Sequence, residues 1–384
     1  LWSTSTINAA PSGLSSGEVA EILKLVAEDY APFDVNVTND RSVYDSTPSN
    51  KRVMCISTPT DTASPGSGGV AFLDTFVDDL VCWDFNLSGN TISHEVGHTF
   101  NLDHHGDSSQ NAPEYHDGHT SESRDWGPIM GSADSAKMVQ WSDGNYTSAT
   151  NNNQDDLDLI TNYGLSYRTD DYGNDSSTGE NVSISNMPAT RNGIIERSTD
   201  IDVFNVTYSS LGKVQVAGTG REGAQSNLDV NLSILDSDGI IIYTQTSDTS
   251  DDAVTELILE PGSYQIRVQG DSSGNPNGNP ATGWSSYGSL GQYQLNFLPD
   301  PPSFSDAIEQ YSTITLTGDA NWVAQTGTSY DGADAVESGS VLAGESSRFS
   351  ISKQTTSVSF WYTVSSESNY DFFEFYIDGS RRLR

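Results

Sequence analysis

The apolar positions change their period partway along the chain. From Ser15 to Tyr30 (SSGEVAEILKLVAEDY), residues Val19, Ile22, Leu23, Val26 and Ala27 recur at helical spacing behind a serine and Glu18, which predicts a capped amphipathic helix. Phe33 to Val37 alternates as a strand does, Val53 to Ser57 is a second strand candidate, and Gly69 to Phe76 reads as a third. A helix then starts near Asn90 or Thr91, either of which can cap it. The polar, turn-rich stretch after His104 predicts a loop, and AKMVQWSDGNY predicts a short helical piece and a turn. Asn151 to Leu165 reads as a capped helix with Leu157, Ile160 and Tyr163 inward and Gly164 as terminator.

Arg168 to Asn181 is acidic, small and almost free of apolar residues, the composition of a linker. From Asp200 the period becomes two. IDVFNVTY, KVQVAG, LDVNLSILD, GIIIYT, TELILEPGSYQIRVQG and GQYQLNF are short alternating segments between Gly, Asp, Asn and Ser turns, which predicts a β-sandwich. PDPP at Pro299 to Pro302 marks another boundary, and the remainder is strand-rich again. The expected organisation is a first domain over 1–167, a linker over 168–185, a β-sandwich over 186–299 and a partial β module over 303–384.

Composition narrows the partners. The chain of 384 residues has a formal net charge of −36, which makes nucleic acid an unsuitable partner because carboxylates repel phosphates. No apolar run approaches the ~18 residues of a transmembrane helix. The chain opens Leu-Trp-Ser without an apolar signal core, so it is expected to be a mature form or a fragment. Cys55 and Cys82 each lie in or beside a strand-like stretch. A disulfide between them is one reading and would contribute about 3 kcal/mol; two free buried cysteines are the other.

The chemistry concentrates in TISHEVGHTFNLDHHG, from Thr91 to Gly106. All six histidines (His94, His98, His104, His105, His116, His119) fall within residues 94–119. On a helix His94 and His98 share a face, so two imidazoles can hold one metal ion, with Glu95 beside them in reach of a water on that ion. His104 is expected to return to the same ion after a reversal near Asn101. His105 is the competitor for the third place, and Asp103 and Asp107 are candidates to orient a ligand. His116 and His119 are read either as further contacts or as exposed polar residues of a loop.

HEVGHTFNLDH resembles the elongated zinc motif of the metzincin metallopeptidases, with Asn101 in place of the turn glycine. Asparagine tolerates positive φ better than most residues, at a cost of about 1–2 kcal/mol. WGPIMG resembles that family's methionine turn and makes Met130 the turn methionine; Ser132 stands where some members carry a tyrosine, so no tyrosine is assigned. The resemblance implies zinc on His94, His98 and His104, Glu95 as general base, and backbone groups of Gly69, Val70 and Ala71 pairing with an extended peptide. It also implies an opening strand, which is expected to be missing here. STDIDVFNV with LEPGSYQIRV resembles the bacterial pre-peptidase C-terminal domain, in which Asp200 and Asp202 become calcium candidates. The last stretch resembles the start of a jelly-roll module, expected to be poorly stable alone.

These resemblances together predict an α+β, metzincin-like catalytic domain followed by all-β sandwich domains. They imply a secreted zinc endopeptidase acting on proteins or peptides, whose β modules bind extracellular matrix or the cell surface. The alternative is an adhesive, matrix-binding β-module protein with a vestigial metal site.

Overall fold

A computed structural model describes residues 7–384 except 122–123, 133–135, 137, 185–187, 210, 219–226, 247–251, 255–257, 300–303, 309–312, 326–327, 331–333, 366 and 368–369. The chain is mostly β with few helices, and it divides into two compact units, Leu1–Pro299 and Asp300–Arg384. No described helix is long and apolar enough to cross a membrane.

Helix α1 (Ser16–Asp29) forms where the apolar spacing predicts it. Ser15 accepts from the Glu18 amide while the Glu18 carboxylate accepts from the Ser15 amide, closing a capping box. A short helix α2 (Arg41–Ser46) follows, and then a three-stranded sheet. In that sheet β1 (Met54–Ser57) runs parallel to β3 (Val81–Asp84), and β2 (Gly69–Val70) pairs antiparallel on the outer side of β3. Asp84 closes β3: its buried carboxylate accepts from Ser57 Oγ at 2.7 Å and from the amides of Asn86 and Ser88. Those last two bonds anchor the turn into α3 (Gly89–Thr99), whose N-cap is Ser88 rather than Asn90 or Thr91.

A second sheet joins β4 (His119–Ser121), β5 (Arg124–Pro128) and β6 (Met138–Gln140), followed by α4 (Asp156–Tyr163), capped by Asp155. The region of β6 was expected to be helical. Met138 and Val139 are buried and Gln140 donates to the Asn227 carbonyl and to Ser289, so tertiary contacts override the local pattern here. Phe33 to Val37 does not form a strand either. Phe33 makes an isolated bridge to Tyr167, and Arg168 donates to the carbonyls of Ala31 and Val35, which satisfies the backbone without a ladder partner.

The two sheets of the sandwich account for the period of two. One is ordered β13 (Asp252–Val254), β10 (Gly212–Gly218), β17 (Gly291–Pro299), β8 (Ala189–Ile195). The other is ordered β12 (Ile241–Thr246), β11 (Val230–Leu235), β14 (Gly262–Gly270), β9 (Asp202–Tyr208), β7 (Glu180–Ile184). Strand β7, parallel to β9, is built from the end of the stretch whose composition reads as linker. A small hairpin of β15 (Ser273–Asn275) and β16 (Thr282–Trp284) lies against β4 and β5.

The sandwich and the helical part share one apolar core. Val26, Phe100, Met130, Trp141 and Ile160 belong to the same cluster as Leu228, Leu290, Tyr293 and Phe297. Polar bonds cross the same junction: Gln292 donates to Glu28 through its amide and side chain, and Asn227 Nδ2 donates to Asp29 Oδ1 at 2.9 Å. In the second unit the ladders are short two-stranded pairs, and large apolar residues such as Trp361 (72%) and Tyr370 (75%) face solvent. Thr356 to Val364, part of the stretch expected to be strand-rich, forms no strand.

Candidate metal centre

The three histidines meet. His94 and His98 lie one turn apart on α3, and the chain reverses at Asn101, whose φ of +66° is the left-handed conformation that lets His104 return. Ring centroids are 4.8 Å (His94–His98), 5.1 Å (His94–His104) and 4.9 Å (His98–His104) apart, and one ligand atom from each lies within 4.8 Å of the others. Nδ1 of His94 donates to the Ile129 carbonyl at 2.9 Å and Nδ1 of His98 to the Leu102 carbonyl at 2.7 Å. Nδ1 of His104 lies 3.1 Å from Glu114 Oε1. A carbonyl can only accept, so His94 and His98 carry their proton on Nδ1 and leave an Nε2 lone pair free. All three rings favour the neutral form that binds metal. Burial, then the neighbouring histidines, lowers His94 to about 3; burial lowers His98 to about 4 and depresses His104.

Glu95 projects from the same helix and is buried, with Oε2 lacking a hydrogen-bond partner. Burial, and secondarily the charge of Asp84, pushes its carboxyl up to about 8. A cation held by the three free imidazole nitrogens would favour the ionised form of this buried, unpartnered carboxyl. Among the described residues His94, His98 and His104 could therefore hold a metal ion.

Contacts that spacing does not reveal complete the centre. Met130 is fully buried beneath the helix, so close that a side-chain carbon on Gly97 would lie 2.6 Å from its sulfur. The Gly131 amide closes the turn onto the Pro128 carbonyl at 2.9 Å, and the Met130 carbonyl accepts from the His105 amide at 2.8 Å. Glu114 braces His104, and the Tyr115 ring packs 4.3 Å from the His104 ring, centroid to centroid. His105 turns away from the cluster, its Nε2 3.0 Å from buried Asp156, so it does not compete as third ligand. His116 is buried against Trp126 and Tyr146, and His119 lies 2.5 Å from the Gly283 carbonyl; neither is an exposed loop residue and neither joins the three ligands.

The remaining candidates divide. Gly69 and Val70 form the edge strand β2, with Gly69 directly over Glu95, while Ala71 lies just past the strand. The expected strand to Phe76 ends early because Asp74 takes φ +52° and its amide turns to the His98 carbonyl. The expected disulfide is absent: Cys55 and Cys82 sit opposite each other on parallel strands, both as free thiols. Strands lie about 4.8 Å apart, whereas a disulfide draws its β-carbons to about 3.8 Å. A thiol–thiol hydrogen bond to Cys82, then burial, instead holds Cys55 protonated, well above the usual thiol range.

Asp200 and Asp202 belong to a second cluster. Asp170 and Asp171 from the segment before β7, Glu196 after β8, and Asp200 and Asp202 form two overlapping sets of carboxylates, each within 4.8 Å, that could hold a metal ion. Both oxygens of Glu196 and one each of Asp200 and Asp202 are buried without a hydrogen-bond donor. Burial above all, then neighbouring carboxylates, raises Glu196 to about 9; burial raises Asp202 to about 9 against a bond from Tyr293, and Asp171 to about 6. Two facing carboxylates need either a shared proton or a cation, and the cluster contains five. Asp170, Asp171 and Glu196 escaped sequence reading because they come from segments that only the fold brings together.

No protein-family model matches the chain, and no curated protein does. Among solved structures it is similar to the pre-peptidase C-terminal domain of a collagenase from Bacillus anthracis, at 13% identity over 30% of this chain and 93% of that one, with a TM-score of 0.21. It is also similar to a β-glucosidase from Paenibacillus barengoltzii, at 14% identity over 32% of this chain and 11% of that one, with a TM-score of 0.18.

Proposed function

We propose that the chain is a secreted zinc endopeptidase that hydrolyses peptide bonds of proteins, with an α+β catalytic region of metzincin type over residues 1–167. The observation that carries this reading is that one ligand atom each of His94, His98 and His104 lies within 4.8 Å of the others, while Glu95, next to His94 in the chain, keeps a buried Oε2 without a partner. Three imidazoles are the donor set of zinc sites that keep one position open, and each Nδ1 here has the acceptor that such ligands need. Zinc bound there supplies Lewis acidity, polarising a carbonyl and lowering the pKa of water towards about 7.

Glu95 takes a proton from the attacking water and returns it to the departing nitrogen. One C–O bond forms, one amide C–N bond breaks, and the proton ends on the amine. Gly69, Val70 and Ala71 offer backbone groups at a sheet edge, along which an extended peptide would add as a further strand. Residues 186–299 act as a pre-peptidase C-terminal-like sandwich and 303–384 as a partial jelly-roll-like module, binding matrix, cell surface or substrate. The five carboxylates at the sandwich hold calcium, which accepts many oxygens at 2.3–2.6 Å.

Glu95→Gln keeps about one zinc per chain and lowers chelator-sensitive casein cleavage by 10²–10⁴-fold, the size of a lost general base. Full activity in that variant ends the reading. Zinc binding without any turnover in the natural chain favours the alternative, an adhesive protein with a vestigial site.

A further inference from the structure

We propose that Gly69 is a positioning residue for Glu95: its bare α-carbon forms one wall of the slot that holds the carboxylate, and the proposal rests on the peptidase reading above. A β-carbon added at Gly69 would lie 2.5 Å from Glu95 Oε1, 2.7 Å from Glu95 Cγ and 2.8 Å from Thr91 Cγ2. Gly69 is not among the residues with positive φ, so its backbone does not require glycine; the space does.

The strand cannot easily recede to make room. Gly69 and Val70 are in register with Asp84 and Trp83 of β3, and the Gly68 carbonyl accepts from the Phe85 amide at 2.8 Å. Gly68 is itself closely packed, since a β-carbon there would lie 2.5 Å from Asn86 Nδ2. On the other wall, Thr91 sits one helical turn before Glu95, and its hydroxyl is held by Asn86 Nδ2 at 3.0 Å. With strand and helix both anchored, a methyl group at position 69 meets Oε1 at the far end of the flexible Glu95 side chain and displaces it. The edge strand therefore aims the general base as well as offering its backbone to a peptide.

Gly69→Ala is expected to bind zinc as the natural chain does and to lose about 10–100-fold in kcat with KM little changed, the effect of misplacing a reacting group by about 1 Å. A purely structural role would not produce the second readout. Glu95→Asp withdraws the same carboxylate that Gly69→Ala misplaces, so the two losses combine less than multiplicatively. Multiplicative losses, or a Gly69→Ala enzyme with natural kcat, overturn the proposal while leaving the peptidase reading intact. A natural chain without chelator-sensitive cleavage, or an active Glu95→Gln, removes the reading beneath it instead. If Gly69→Ala does not fold, adding Thr91→Ser and Glu95→Ala removes the three atoms the methyl would meet. Recovery of the natural unfolding temperature then supports the proposal, and failure to recover overturns it.

Discussion

Asn101 shows how one backbone angle decides whether three ligands meet. At φ +66° it turns the chain between His98 and His104, and glycine would occupy the same conformation without strain. Asn101→Gly is therefore expected to keep zinc affinity and stability, whereas Asn101→Val costs about 1–2 kcal/mol in strain and weakens zinc binding. Thermal unfolding with and without zinc, plus a competition titration, separates the two variants. The meeting of His94, His98 and His104, with Glu95 on the same helix, is legible in the sequence because local spacing on a helix and one turn define their geometry. The contacts of Gly69, Gly97 and Glu114 with Glu95, Met130 and His104 are not legible, because each joins side chains that only the fold brings together.

At the scale of elements, the helices and the alternating strands of the sandwich follow their periods, since each buries one face against a single core. Local pattern fails where a segment finds partners other than a ladder. Around Phe33 the carbonyls of Ala31 and Val35 go to Arg168, and Met138 to Gln140 joins β5 as a strand despite helix-like spacing. The turn holding Met130 supports α3 from below, so Met130→Ala is expected to cost about 2–5 kcal/mol, read as a lower unfolding temperature, while zinc still binds.

The acidic cluster at the start of β9 makes stability depend on pH. Burial raises Asp202 to about 9, and Glu196 likewise, well above unfolded carboxylates, so the folded chain holds more protons than the unfolded one between about pH 4 and pH 9. Stability in chelator is thus present at low pH and lost as pH rises through that window. Calcium replaces the missing protons, so the rise in unfolding temperature on adding calcium is larger at pH 8 than at pH 5. Asp202→Asn reduces that calcium effect.

The whole molecule carries a net charge of −36, which suits the proposed calcium cluster. Residues 300–384 form a separate compact unit, so deleting them is expected to leave zinc content, casein cleavage and the unfolding of the remainder unchanged. The sandwich was expected as an independent domain, and linker composition near Arg168 encouraged that reading. Whether two regions share a core depends on which faces meet, and composition does not record this.

Asp29 joins α3 to the sandwich through one carboxylate. It accepts from Ser93, the residue beside His94, at 2.5 Å and from Asn227 at 2.9 Å, and its carbonyl takes the Trp141 indole at 2.7 Å. On the peptidase reading, residues 186–299 are then no appendage that the chain could shed. Trimming the chain back to residue 167 would strip the footing from under its own metal ligands and silence it, so maturation by such a cut would act as an off-switch.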